Sequence, residues 1–195
     1  MKQKIQSKPL KHRKLNRLPG YNYSRNGWYF VTICTKDRRE WFGKIQDQKM
    51  MLNKIGNIVE KCFLEIPEHF PNARLDKYIV MPNHIHGIIV IENNVGNNGI
   101  VGNDGIVGNK NFCSLQKNKI QWQKKWSRSL SSIVRGFKTG VIKWCRQNGF
   151  HDFAWQKSFH DHIIHNGKSL NNIRQYIINN QLKWEVDENN PNNLK

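Results

Sequence analysis

Acidic residues are scarce in this sequence, and their absence is local as well as general. The 195 residues hold 14 Asp and Glu against 32 Lys and Arg. Residues 1–36 carry nine Lys or Arg, residues 105–151 carry ten, and neither stretch has a single acid. So thin a supply of carboxylates tells against chemistry built on an acidic triad that holds two metals. Cysteine is sparse too. Cys34, Cys62, Cys113 and Cys145 form no CxxC pair, which removes zinc knuckles and dithiol redox motifs and leaves the expectation of reduced, buried thiols. GxxxxGK[ST], GxGxxG and HExxH are all missing, so nucleotide-cofactor cradles and zincin sites are not expected. No apolar run approaches the roughly 20 residues that span a bilayer, and the basic N-terminus lacks the apolar core of a signal peptide. A soluble, cytoplasmic protein with no membrane partner is expected.

What is there starts with charge. A net charge of +18 and a pI near 10.0 call for a polyanionic partner, nucleic acid first. With 37% hydrophobic residues, 7 Trp and 9 Phe, the chain has the means to fold. Its length suits one domain with appendages: a basic arm over 1–27, a domain over 28–184 and a polar tail over 185–195. Lys11, Arg13, Lys14 and Arg17 of the arm are candidate phosphate contacts. Tyr21 and Tyr23 suit either base stacking or pinning the arm to the domain.

Along the chain, Trp28–Thr35 is aromatic and β-branched and predicts a strand. Lys49–Ile66 spaces apolar residues as an amphipathic helix ended by Pro67. Leu75–Met81 predicts a second strand, and Pro82-Asn83 turns it back into a third that begins at His84. The stretch at about 93–111 repeats Val-Gly-Asn units and reads as a low-complexity surface loop. Lys124, Lys125 and Arg128 interleave with Trp122 and Trp126, a mixture suited to single-stranded nucleic acid. The next amphipathic helix, with Leu130, Ile133, Phe137 and Val141 on its apolar face, carries Arg135, Lys138 and Lys143 opposite. Phe153–Phe159 predicts a further strand, and Ser169–Trp184 a last helix. At about 100° per residue, Tyr176 and Asn180 fall together on the rim of that helix's apolar stripe.

Side chains alternate along a strand, so His84 and His86 share a face and make a bidentate start for a divalent metal. Asn180 is a candidate third ligand. Tyr176 is a candidate nucleophile toward phosphorus, giving a 5′-phosphotyrosine and a free 3′-hydroxyl; the covalent bond keeps the energy of the cut, so rejoining needs no ATP. His160-Asp161-His162 offers a second same-face pair and competes with the first.

Met81-Pro82-Asn83-His84-Ile85-His86-Gly87, the Ser129–Lys138 run, Trp155–Phe159, His162–Ile164 and Ile173–Asn180 together resemble the REP-associated tyrosine transposases, single-tyrosine members of the HUH group (His-hydrophobe-His). The resemblance covers residues 20–184. It implies a single α+β domain with a small antiparallel sheet and packed helices, the ferredoxin/RRM-like HUH fold. It also implies a divalent metal, Mg²⁺ or Mn²⁺, and single-stranded DNA with palindromic hairpins as substrate. His84, His86 and Asn180 match the metal ligands and Tyr176 the nucleophile, which leaves His162 as a hydrogen-bonded structural residue. Gln181 departs from the family's usual proline, so the end of the catalytic helix is expected to differ in shape. The sequence is compatible with a homodimer or a monomer, and the competing function is hairpin DNA or RNA binding without cutting.

Overall fold

In the computed structural model, residues 18–93 and 128–193 are described. The calls on Lys11, Arg13, Lys14, Arg17, Trp122, Lys124, Lys125 and Trp126, and nearly all of the repeat loop, lie outside them.

The elements in chain order are β1 (Gly27–Cys34), β2 (Gly43–Gln46), β3 (Lys49–Leu52), α1 (Lys54–Leu64), α2 (Ile66–His69), β4 (Ala73–Val80), β5 (His84–Ile91), α3 (Leu130–Gln147), β6 (His160–Ile164) and α4 (Gly167–Asn179). Four strands form one antiparallel sheet in the order β4-β5-β1-β6. Counting only those strands with α1 and α3, the path is β-α-β-β-α-β with the two central strands first and third, the ferredoxin-like order. The fold is α+β in a single small domain, as expected.

β5 is buried along its whole length, because it has a strand on each side and helices over both faces. Cross-strand register sorts the side chains. One face presents Tyr29, Val31, Ile33, Ile85 and Ile89, and joins the apolar sides of α1 and α3 in the main core. The other presents Trp28, Phe30, Ile88, Val90 and Ile164, and packs with Leu170, Ile173 and Ile177 of α4. A bidentate ion pair, Arg174 Nη2 to Asp76 Oδ2 at 2.6 Å and Nε to Oδ1 at 2.8 Å, ties α4 to β4. Among the described residues, no helix is long and apolar enough to cross a membrane.

Three elements differ from the sequence expectation. Residues 49–52 are not the first turn of a helix: they pair with β2 as a hairpin. Asp47 and Gln48 both adopt positive φ (51° and 59°), the backbone sense that matches strand twist in a tight turn. The helix starts only where the Asn53 side chain accepts the Ile55 and Gly56 amides at 2.9 and 3.0 Å, and Pro67 lies inside α2 rather than ending α1. Phe153–Phe159 is no strand. Phe153, Trp155 and Phe159 are buried, but only Trp155 bridges to Thr35, and the Gln156 and Ser158 carbonyls are taken by the Lys138 ammonium at 2.8 and 2.9 Å. The last helix stops at Asn179 and tightens into a 3-10 segment over Gln181–Val186. There the Gln181 Oε1 accepts the Met50 amide at 3.2 Å, docking the helix end on β3.

The boundaries of the domain also shift. Tyr23 belongs to the main core and clusters with Tyr21 and Tyr29 at ring separations of 5.0 to 6.4 Å, so these tyrosines pin the arm. At the other end Asp187, Asn189 and Asn190 are buried, and residues 185–190 are part of the body rather than a tail. Cys34 and Cys145 are free and buried as expected, whereas Cys62 is bonded in a disulfide.

Gly87 shows how tightly the histidine strand is backed. A Cβ there would stand 2.4 Å from the Phe63 ring of α1. Gly87→Ala should therefore cost about 1–3 kcal/mol as the ring is displaced, measured as a lower urea midpoint with unchanged slope; an unchanged midpoint would contradict this packing.

Candidate metal centre and nucleophile

The Asn83 turn places the site. Its amide is completely buried and each of its polar atoms is engaged. Nδ2 donates to the Arg38 and Asn189 carbonyls, both at 2.8 Å. That fixes which end of the amide is oxygen, so Oδ1, 2.8 Å away, accepts from His84 Nδ1. His84 is thus the Nδ1–H tautomer with an unprotonated Nε2. His86 follows on the same face, with its Nδ1 2.8 Å from the Thr32 hydroxyl. The two Nε2 atoms lie 3.0 Å apart.

Both imidazoles are held below their ordinary pKa. For His84 burial is the main cause, followed by the positive charge on His86 and Arg38. Burial pushes His86 down to about 4, against the pull of the Asp187 carboxylate. Two neutral imidazoles at neutral pH are in the state that binds a metal.

Asp187 is the third member of the cluster. One ligand atom each from His84, His86 and Asp187 lies within 4.8 Å of the others. The Asp187 carboxylate is oriented by the Asn189 amide on Oδ1 (2.6 Å) and by Asn180 Nδ2 on Oδ2 (3.2 Å). Asn180 is as buried as the histidines, rather than at the rim, and among the described residues its Oδ1 has no hydrogen-bond partner. A divalent ion fits this donor set of two imidazole nitrogens and a carboxylate oxygen. Ligands at about 2.0–2.1 Å and right angles are roughly 3 Å apart, close to the Nε2 separation, and the carboxylate offsets part of the charge. The unpartnered amide oxygen of Asn180 beside the cluster is a further donor.

Tyr176 completes the group from α4. Its hydroxyl is 3.3 Å from His86 Nε2, and its ring meets Phe30 edge-on at 6.0 Å while Phe30 stacks on His86 at 5.3 Å. The side chain is 42% exposed, so the oxygen is both positioned and reachable. The phenol pKa is pushed up to about 12, by burial first and the Asp187 carboxylate second, opposed by a hydrogen bond from Asn180. Trp184 lies over His84 at 6.1 Å.

His84, His86, Asn180 and Tyr176 therefore converge. Asp187 was missed, and its only sequence signal was an acid in an Asn-rich stretch shortly after the tyrosine helix. The basic residues do not converge with them. Arg135 and Lys143 are exposed on α3, which packs on the opposite face of the sheet. Arg128 is exposed beside that helix's start. Lys138 is not a free cation for DNA: its ammonium holds the 156–158 carbonyls, and burial lowers its pKa to about 8. His162 is exposed on the edge strand β6.

No protein-family model matches the chain. A protein of Haemophilus influenzae described as uncharacterized is 41% identical over 182 residues, covering 92% of this chain and 93% of that protein. A second protein of that organism, named a putative REP-associated tyrosine transposase, is 25% identical over 163 residues, covering 83% of this chain and 74% of the other. Among solved structures, a REP-associated tyrosine transposase bound to a REP hairpin aligns with a TM-score of 0.54 at 17% identity, over 86% of this chain and 73% of that one. That likeness shows the fold.

The depressed histidines give a pH dependence of stability. In the unfolded chain both take up protons near pH 6.5, while in the folded protein they stay neutral to well below it, His86 to about 4. The unfolded state thus binds more protons in that window, and stability, fully present above pH 6.5, falls as pH drops toward 4. Urea midpoints of the metal-free protein should fall across this range, and the fall should shrink in His86→Gln. An equal fall in that variant would place the titration elsewhere.

Proposed function

We propose that this chain is a tyrosine transposase of the REP-associated kind, as its likeness to such proteins suggests, and that it nicks and rejoins single-stranded DNA carrying palindromic hairpins, through a 5′-phosphotyrosine on Tyr176. The observation that carries this reading is the Tyr176 hydroxyl 3.3 Å from His86 Nε2, beside a buried His84–His86–Asp187 group. A protein that only gripped DNA would have no use for that arrangement.

His84, His86 and Asp187 would hold the metal, Mg²⁺ or Mn²⁺, with Asn180 Oδ1 as a fourth donor. When bound, the ion would polarise the scissile phosphate and offset charge that develops on its oxygens. The chain's own residues do the rest. Phe30 and the α4 backbone aim the Tyr176 oxygen. Asn83 keeps Nε2 of His84 unprotonated, and the rotatable Thr32 hydroxyl matches either tautomer of His86, accepting from Nδ1–H or donating to bare Nδ1. In the cut, the Tyr176 oxygen bonds to phosphorus, the bond from phosphorus to the 3′ oxygen breaks, and that oxygen leaves as a 3′-hydroxyl once a proton has passed to it. The phenol gives up its proton in the same step. Positive charge at the cluster favours this loss, because the nearby Asp187 carboxylate opposes it when uncompensated. Rejoining is the reverse, with the 3′-hydroxyl attacking the phosphotyrosine.

With labelled hairpin DNA and Mn²⁺, a denaturing gel should show a covalent protein–DNA band, and Tyr176→Phe should lose it while still binding hairpin. An adduct that mapped to any other tyrosine, or that survived in Tyr176→Phe, would overturn the mechanism; hairpin binding without any adduct in the wild type would leave a pure binding protein.

Ligand removal separates Asp187 from Asn180. Addition of Mn²⁺ should raise the melting temperature of the wild type. Asp187→Asn should abolish most of that rise, and Asn180→Ala should only move it to higher metal concentration, because one deletes a charged ligand and the other a neutral donor. Equal metal response in Asp187→Asn and the wild type would remove Asp187 from the site.

A further inference from the structure

Beside the metal centre, between β1, β6 and residues 188–189, lies a cavity of about 370 Å³. We propose that it seats a nucleobase next to the scissile phosphate, and that His160 and His162 govern which base it accepts. This rests on the DNA-cutting role proposed above for the neighbouring site.

The register of the sheet connects the two places. Thr32 on β1 is opposite His86 on one side and His160 on the other, and Phe30 is likewise opposite Ile88 and His162. His86, Thr32 and His160 therefore form a row on one face, its ends two strand spacings apart, about 10 Å. The second histidine pair faces the same way as the metal pair and has not been recruited to the core: His160 and His162 are both exposed. Phe30 is the shared wall. It stacks on His86, meets Tyr176 edge-on, and lines the cavity. A base resting there has its own phosphate within reach of the Tyr176 oxygen.

The lining suits a base better than a phosphate. Phe30 offers a flat surface for stacking, which tolerates any base, and the ring nitrogens of His160 and His162 in the lining can hydrogen-bond the base edge, which does not. Arg38 and Glu188 at the rim supply a donor and an acceptor for its edge. Glu188 in the same lining carries a charge that would repel a bound phosphate. The volume is within the range of small-ligand cavities and is open enough to admit a base together with part of its sugar. The rim is also well fixed. The Arg38 guanidinium donates to the Glu188 carbonyl, and Asn83 holds the Arg38 and Asn189 carbonyls together.

Two measurements on the full chain test this. First, hairpin DNA with single-stranded flanks carries 5-iodouracil at one flanking position at a time, and photo-crosslinks are mapped by mass spectrometry. One position should crosslink to Phe30 or to the peptide that contains His160–Ile164, whether or not the strand is cut. Second, cutting rates are compared for the four bases and an abasic nucleotide at that position. His160→Ala with His162→Ala should lower discrimination among bases by about tenfold, in keeping with the loss of a hydrogen bond to the base edge, while the abasic substrate brings wild type and variant together. Crosslinks that fall elsewhere at every position, or wild-type base ratios in the double variant, would overturn the subsite. Crosslinks at β6 with no tyrosine adduct would instead uphold it and sink the cutting reaction.

Discussion

The buried amide of Asn83 joins three parts of the molecule that share no sequence neighbourhood. Its oxygen holds His84, and its two hydrogens hold the loop after β1 and the segment after Asp187. Inside the protein, each of these groups would cost about 1–3 kcal/mol if left without its partner. The three bonds therefore stand or fall together, and with them the distance between the histidine strand and the carboxylate that completes the cluster. The loop it holds contains two consecutive residues at positive φ, Asp37 and Arg38 (55° and 52°), a costly conformation for non-glycine residues. The carbonyl of Arg38 is taken up by that amide, so the strained turn and the histidine–carboxylate cluster share one anchor.

The sheet divides labour between its faces. The side toward α1 and α3 is a continuous apolar core, and the side toward α4 grades from core near Ile88 and Val90 into the polar cluster at His84 and His86. The position of Tyr176 depends on that grading, since α4 buries Ile177 and leaves the tyrosine at the edge. The Arg174–Asp76 pair fixes the helix two residues earlier; its forked geometry supplies direction, where an exposed single contact would give little. The free cations of α3 sit behind the sheet. A strand engaged at Tyr176 would have to pass around the sheet's edge to meet Arg135 or Lys143.

The parts legible in the sequence were those with a local period. His84 and His86 declare their common face by alternation, and Tyr176 and Asn180 by one helical turn. Asp187 has no such signature. It reaches the site because the helix tightens after Asn180, and because turn bonds such as Asn189 N to Asp187 and Asn190 Nδ2 to the Trp184 carbonyl fold the polar segment back. A string of Asn and Asp reads as solvated chain unless those partners are known. Phe153–Phe159 misled in the opposite direction: alternation reports which side chains are buried, and says nothing about whether a neighbouring strand is there to pair. Leu52 stands three residues before Ile55 and so joined the helical period, and the turn at Asp47-Gln48, without glycine or asparagine, gave no sign of a hairpin.

Gly87 belongs to the motif around the histidines, yet nothing on the chemical side of the sheet requires it. It is demanded from behind, by the ring of Phe63, as Ile85 is demanded by the core. The string His-Ile-His-Gly is thus a composite record, with alternate letters written by reactivity and by packing. If the chain cuts DNA as proposed, a descendant that had lost that power would be free to change the first and third letters and still be held to the second and fourth. In such a chain the motif would fade in a striped pattern, and the stripes would distinguish a retired enzyme from a working one.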